Sequence, residues 1–270
     1  MTNVQQWTKG AEHLNANADV VFINPSYVFA TPVFGGQFAL GVTGLVGVQN
    51  AAVNGSLTLG SGSVVIMREG TIADSMSGYG DLYPMASLRW GSGVNNWKTY
   101  VTGDIPVGMY DPTSLANLGI GHGAIDGGGG YTYLDPQAGH EFSVVTGLTY
   151  NLLNPGTDYQ SGVDWHVDWG ASQFVTKQVL VGAVGYVYDQ ISCDSGSGDR
   201  IGCFEARVLA VGPQIGYIFP IGSTQAFLGL KAYWEFDAQN RPAGWNAWAT
   251  LSISPTALLP SDPRSAIVTK

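Results

Sequence analysis

Three ionisable side chains stand two residues apart in one stretch of the chain: Asp164, His166 and Asp168. In a β-strand that spacing places all three on one face, at steps of about 6.5–7 Å. An imidazole between carboxylates could hold a metal ion, but one histidine with oxygen ligands is a weak set. A charged wall, balanced across an interior by Lys98, Arg207, Lys231 or Arg89, requires no ion and is the favoured reading. No metal and no cofactor is expected. A hydrolase needs a nucleophile beside a base. His166 with Ser172 or Ser143, and with Asn151 or Asp168, is the arrangement to weigh, and no G-x-S-x-G turn supports it. His13, His122 and His140 lie in loop-like or Gly-rich surroundings. The chain is therefore read as a non-enzyme.

Three other features could carry chemistry. Asp194-Ser195-Gly196-Ser197-Gly198-Asp199 superficially resembles a calcium loop but lacks the glycine and glutamate pattern of an EF-hand, so it reads as a solvated turn. Cys193 and Cys203 flank it, and a loop disulfide in an oxidising compartment is favoured over two free thiols. The glycines at 127–130 are no phosphate loop, since no Lys-Ser/Thr follows them. In a strand they mark a bulge or a bend, or make room for an approaching solute.

The elements that position these residues are strands. Val163, Trp165, Val167, Trp169 and Ala171 alternate with Asp164, His166, Asp168, Gly170 and Ser172. One face is apolar with two tryptophans, and the other is charged and small. The same period of two recurs in Phe142/Val144/Leu148/Tyr150 against Glu141/Ser143/Thr149, and in Leu228/Leu230/Trp234 against Lys231/Glu235. It recurs again in Trp97/Val101/Ile105 against Lys98/Asp104. Eleven segments of this kind lie near 20–30, 36–49, 78–90, 95–107, 120–134, 139–151, 160–176, 178–191, 204–219, 225–237 and 243–254.

Composition separates the possible settings for such strands. Charged residues make up only 11% of the 270, against 45% hydrophobic, with 38 glycines. A soluble domain carries about 25% charged residues. No apolar run is long enough for a membrane helix. Strands that are apolar at every second position resolve the contrast, because only one face meets lipid. The net charge of −9 makes nucleic acid an unfavourable partner. No basic, apolar signal segment is visible at Met1–Gln6, so the reading takes such a leader as already removed or the first segment as truncated.

Connections alternate between short and long. Residues 31–35, 91–94, 135–138, 176–178 and 220–223 are short, whereas 50–77, 108–119, 152–159, 192–203 and 238–242 are longer. This is the pattern of an outer-membrane barrel. The fold class is thus all-β, a transmembrane antiparallel up-and-down barrel of about 12 strands. An even count calls for a partner strand ahead of residue 20, with residues 4–9 as a short candidate. The organisation expected is an N-terminal segment at 1–19, a barrel at 20–254, and a proline-rich tail at 255–270. Trp90, Trp97, Trp165, Trp169, Trp234 and Trp245 fall at outward or strand-end positions, as interfacial girdles require.

Longer stretches carry a resemblance. These are residues 80–90 (G-D-L-Y-P-M-A-S-L-R-W), 141–151 (E-F-S-V-V-T-G-L-T-Y-N), 154–162 (N-P-G-T-D-Y-Q-S-G), 164–169 (D-W-H-V-D-W) and 184–190 (V-G-Y-V-Y-D-Q). With D-S-G-S-G-D at 194–199, G-P-Q-I-G-Y within 204–217 and E-F-D-A-Q-N-R at 235–241, the chain over 78–254 resembles the outer-membrane proteins involved in the meta-pathway of phenol degradation. The resemblance implies an outer-membrane barrel and, more weakly, uptake of aromatic compounds. The chain departs from that family in lacking an evident proline-rich N-terminal segment and first strand, and in continuing past its last strand.

The expected function is a passive outer-membrane channel for small hydrophobic solutes, aromatic ones included, with membrane lipid and the solute as partners. An outer-membrane lipase or esterase, or a soluble β-sandwich binding protein, is the alternative. The lumen path is assigned to Asp164, His166, Asp168, Glu141, Lys98, Asp104, Lys231, Glu235, Arg207, Tyr186 and Tyr188. The sequence leaves open the solute, the direction, the oligomeric state and whether residues 50–77 plug the lumen.

Overall fold

The computed structural model describes residues 6–61, 64–200, 202–222 and 224–255. They form one antiparallel sheet of 12 strands in which neighbours in sequence are neighbours in space, from β1 (Gln6–Ile23) through β3 (Gln37–Ser61) to β12 (Trp245–Pro255). The short β2 (Ser26–Val28) lies off this path on the edge of β3. The sheet curls until its ends meet: the rings of Phe22 on β1 and Trp248 on β12 stand 5.5 Å apart. Among the described residues no backbone ladder joins those two strands. No helix among the described residues is long and apolar enough to cross a membrane.

The strands that build the wall are β4 (Val64–Ser92), β5 (Asn95–Asp104), β6 (Ala124–Asp135), β7 (His140–Asn151), β8 (Asp164–Phe174), β9 (Val179–Gln190), β10 (Arg207–Ile221) and β11 (Thr224–Gln239). Their alternation sorts side chains by face. The outward face carries Val101, Leu148, Trp165, Ile215, Leu230, Trp234 and Leu251, all exposed. Aromatic residues gather at both ends of this face. Trp90 and Trp97 pair in register, with Tyr131 6.1 Å from Trp97, beside the short turns. Trp165, Trp234 and Trp245 lie toward the long connections. Two such girdles bracket an apolar band in membrane barrels.

The all-β barrel of about 12 strands stands, and three details of it are corrected. Eleven strands lie on the path, as many as the alternation shows, and the twelfth element, β2, is no partner strand ahead of the first. β1 and β2 share one edge of β3, against Gly44–Ser61 and Ala39–Gly41 respectively, and are interrupted at Asn24 and Pro25. Pro25 has no N–H to give the ladder, so pairing breaks there and resumes. With eleven strands on the path, β1 and β12 run in the same direction. Second, residues 6–19 are no separate segment but the beginning of β1. Third, residues 50–77 are mostly no loop. β3 and β4 run on as a hairpin, paired from Gly55–Gly70 out to Ser61–Val64, with β1 alongside as a third strand. The tail at 256–270 lies outside the described residues.

The glycine run also differs from expectation. β6 pairs with β5 and β7 without a register shift across Gly127, Gly128, Gly129 and Gly130. It forms no bulge. Register shifts come instead at Gly44/Val46 between β3 and β4 and at Arg207/Leu209 between β10 and β11.

Candidate functional site

Register brings Tyr100, Gly128, Gly147 and His166 side by side across β5, β6, β7 and β8 on the inward face. Because the two middle positions lack side chains, the Tyr100 ring lies flat along the wall and its hydroxyl stands 3.4 Å from His166 Nε2. A Cβ at Gly147 would sit 2.3 Å from that hydroxyl and 2.8 Å from the imidazole, so the contact exists only because residue 147 is glycine. The same imidazole nitrogen lies 2.8 Å from Asp126 Oδ2, which also accepts the Thr149 hydroxyl at 2.7 Å. Asp168 stands 3.9 Å from the other ring nitrogen and is 64% exposed, into the lumen. Asp126 is buried in the wall. One imidazole thus joins a phenol from β5 and a carboxylate from β6 to β8, with a second carboxylate 3.9 Å away on its own strand.

The neighbouring wall repeats the pairing of tyrosine with acid. Tyr188 donates to Asp164 Oδ1 at 2.7 Å, and Asn151 donates to the other oxygen at 2.8 Å. Tyr186 donates to Glu235 Oε1 at 2.6 Å, and its ring packs 5.2 Å from that of Tyr233. Arg241, from the connection between β11 and β12, reaches over the Tyr188 ring at 5.2 Å and lies 3.8 Å from Glu235. Gln214 donates to Ser172 Oγ at 2.7 Å.

Of the residues singled out in the sequence, Lys98, Asp104, Glu141, Asp164, His166, Asp168, Tyr186, Tyr188, Lys231 and Glu235 all occupy the inward phase of their strands, by the register of each ladder. They do not form one cluster. His166 and Asp168 belong to the Tyr100 group, Asp164 joins Tyr188, and Glu235 joins Tyr186. Glu141 accepts from Ser143 at 2.7 Å, near the short turns. Arg207 falls on the other phase: it pairs in register with Asp189, on the outward side, and forms an ion pair with Asp237 at the rim. The two-residue count from Leu209 and Val211 puts it there.

Asp126, Tyr100 and Thr149 were missed as a group, and Asn151, weighed as a partner of His166, joins Asp164 instead. The signal was available for Asp126, which alternates with Ile125 as Asp164 does with Trp165. The serines weighed as nucleophiles are engaged elsewhere. Ser172 lies six residues along β8 from His166, about 20 Å, and Ser143 lies four residues from the level of Gly147, about 13 Å. The imidazole's neighbours are carboxylates and a phenol.

The family model described as "Putative MetA-pathway of phenol degradation" matches residues 5–251. The chain belongs to this family. An outer membrane channel from Pseudomonas putida F1 has a similar structure, with a TM-score of 0.56 at 14% identity over 88% of this chain and 94% of that one. At that identity the likeness is one of fold, and the fold is that of an outer-membrane barrel. No curated protein matches the chain.

This family member carries its charge at the rim in a fastened form. The Cys193–Cys203 disulfide closes the connection between β9 and β10. Asp194, buried beside it, accepts from Tyr159, from Gln190 Nε2 at 2.7 Å and from the Gly162 amide at 3.1 Å. Its carboxylate is filled by protein donors, which suits a tie between two connections better than a calcium ligand. Burial, then the bond to Asp194, pushes the Tyr159 hydroxyl above its ordinary range. Asp81, fully buried, accepts from the amides of Gly108 and Ile120, each at 2.7 Å, and fastens the connection between β5 and β6 against β4. At the tip of that connection Thr113 donates through both hydroxyl and amide to Asp111, holding its carboxyl below the usual range.

Proposed function

We propose that the chain is a passive outer-membrane channel for small hydrophobic solutes, aromatic compounds among them. One observation carries this reading. Tyr100, Tyr186 and Tyr188 face inward, and each hydroxyl is engaged by a wall group: His166, Glu235 or Asp164. A solute in the lumen therefore meets ring faces and edges rather than free phenol groups. Aromatic rings attract one another in offset or edge-to-face geometry, worth about 0.5–1.5 kcal/mol per pair. Weak, repeated contacts of that size favour entry without trapping the solute. The family's name and the fold of the Pseudomonas putida channel support the same reading. Nothing in the path calls for nucleotide energy, and a concentration gradient suffices to drive it.

Proteoliposomes test it. The reconstituted chain raises phenol entry above that of protein-free vesicles and leaves a sugar of similar size behind. Equal acceleration of the sugar would make the path a polar pore and contradict the proposal.

A further inference from the structure

The turn from β2 into β3 carries a residue that its geometry disfavours. Val33 and Gly36 exchange both backbone hydrogen bonds, at 2.8 and 2.9 Å, so Phe34 and Gly35 form a two-residue tip. Both are left-handed, with φ of 50° and 72°. Tips of this kind take Asn-Gly or Gly-Gly, because a bulky side chain at positive φ crowds its own backbone. Phe34 is also 88% exposed. A large ring at a left-handed position is costly, and holding it out in water adds to that cost. Backbone strain of this sort gathers at places that have a use.

The surroundings name the partner. The Trp90 ring lies over Gly36, so close that a Cβ there would sit 2.7 Å from Nε1, and this N–H donates to the Phe34 carbonyl at 3.1 Å. Trp90 belongs to the aromatic girdle beside the short turns, on the outward face. Tyr27, Phe29 and Phe38 continue that girdle on β2 and β3: Tyr27 and Phe29 have ring centroids 5.0 Å apart, Phe29 and Phe38 5.3 Å. Register with Leu40 and Leu88 sets Tyr27 and Phe38 on the outward phase. Phe34 stands at the end of this row. The other short turns carry Gly93, Gln137, Lys177 and Gly222, which are small or polar. The apolar tip is therefore particular to the turn that follows β2, an edge strand held to β3 by only three residue pairs.

We infer that this turn is a membrane anchor: the Phe34 ring enters the headgroup boundary of the leaflet at the short turns and fastens the β2 edge of the sheet to lipid. The wall's lipid face runs into the tip without a break, through Trp90. Aromatic rings favour that boundary, and removing the ring from water offsets the strain of its backbone. The inference needs a barrel in a bilayer and no solute, so it stands apart from the channel reading.

Fluorine NMR of the full chain in nanodiscs of phosphatidylethanolamine and phosphatidylglycerol tests it. One protein carries 4-fluorophenylalanine at residue 34 and a second carries it at Gln137, on another short turn. Dissolved oxygen, which concentrates in lipid, relaxes the label at 34 more than a water-soluble nickel chelate does, and the order reverses at 137. A chelate that reaches 34 as freely as 137 places the ring in water and overturns the inference. Phe34→Asn gives a second measure, because it supplies the residue such a tip ordinarily takes. Relief of the left-handed strain alone would raise the folding equilibrium in vesicles about tenfold. The anchor predicts no such gain, since the lipid contact is lost with the strain. A tenfold gain would show that Phe34 costs stability and returns nothing, and would overturn the inference.

Discussion

The wall from β5 to β8 and the three-stranded extension of β1, β3 and β4 are made of the same backbone pairing, yet they are held differently. In the wall each strand separates lipid from lumen. Its side chains sort by face, and cross-strand groups such as Tyr100–His166–Asp126 tie β5, β6 and β8 together. In the extension β3 and β4 pair from Ala51–Asp74 outward with β1 on one side, and the ladder is the main restraint. A strand between two unlike solvents specifies its own register, because a slip of one residue would turn every side chain to the wrong face. A strand with the same solvent on both sides has no such constraint.

That difference explains what the sequence revealed. The eleven wall segments were legible from alternation, as was the inward phase of Asp164, His166 and Asp168. The extension was read as a loop because residues 50–77 mix small, polar and apolar types with no period, although their backbone pairs well. Residues 6–19 misled for the same reason. The glycines were misread because composition signals a missing side chain, while register alone shows what lies in its place. Gly128 and Gly147 matter through Tyr100, whose partner is 66 positions away. Arg207 was placed inward by its charge, though the count of two from Leu209 sets it outward.

Glycine substitutions break the comparison most sharply. A Cβ at Gly128 would lie 2.1 Å from the Thr146 carbonyl oxygen, whereas Cβ atoms at Gly55 and Gly70 meet nothing within 4 Å. Gly128→Val is expected to cost about 3 kcal/mol in urea unfolding from lipid vesicles. Gly55→Ala and Gly70→Ala stay within about 0.5 kcal/mol of the native chain. Equal effects at the two places would mean the extension is packed as tightly as the wall.

Reduction of Cys193–Cys203 comes next. Closing this connection contributes about 2–3 kcal/mol by chain entropy, confined to the rim. Dithiothreitol should expose the segment between the cysteines to protease while the barrel keeps its heat-modifiable migration on gels. Loss of that migration would show that the rim holds the wall together.

A shortened hairpin is expected to change less. Replacing residues 54–71 by a two-residue turn should leave single-channel conductance within the spread of native channels. A closed or widened channel would place the extension in the solute path.

The smallest effect concerns pH. The Tyr159 hydroxyl titrates above the unfolded value of 10.0, so its contribution is complete below that pH and is lost as pH rises toward the folded value. Protease resistance of the rim should hold through neutral pH and decline only above about 10. A decline near neutrality would contradict the tie to Asp194.

The central claim is that one face of each wall strand meets lipid and the other a wet lumen. Single cysteines at 164 through 172 on β8, spin-labelled in lipid vesicles, test it directly. Collisions with a water-soluble nickel chelate should peak at 164, 166, 168, 170 and 172, and collisions with oxygen at 165, 167, 169 and 171. The opposite phase, or no period of two, would contradict the account.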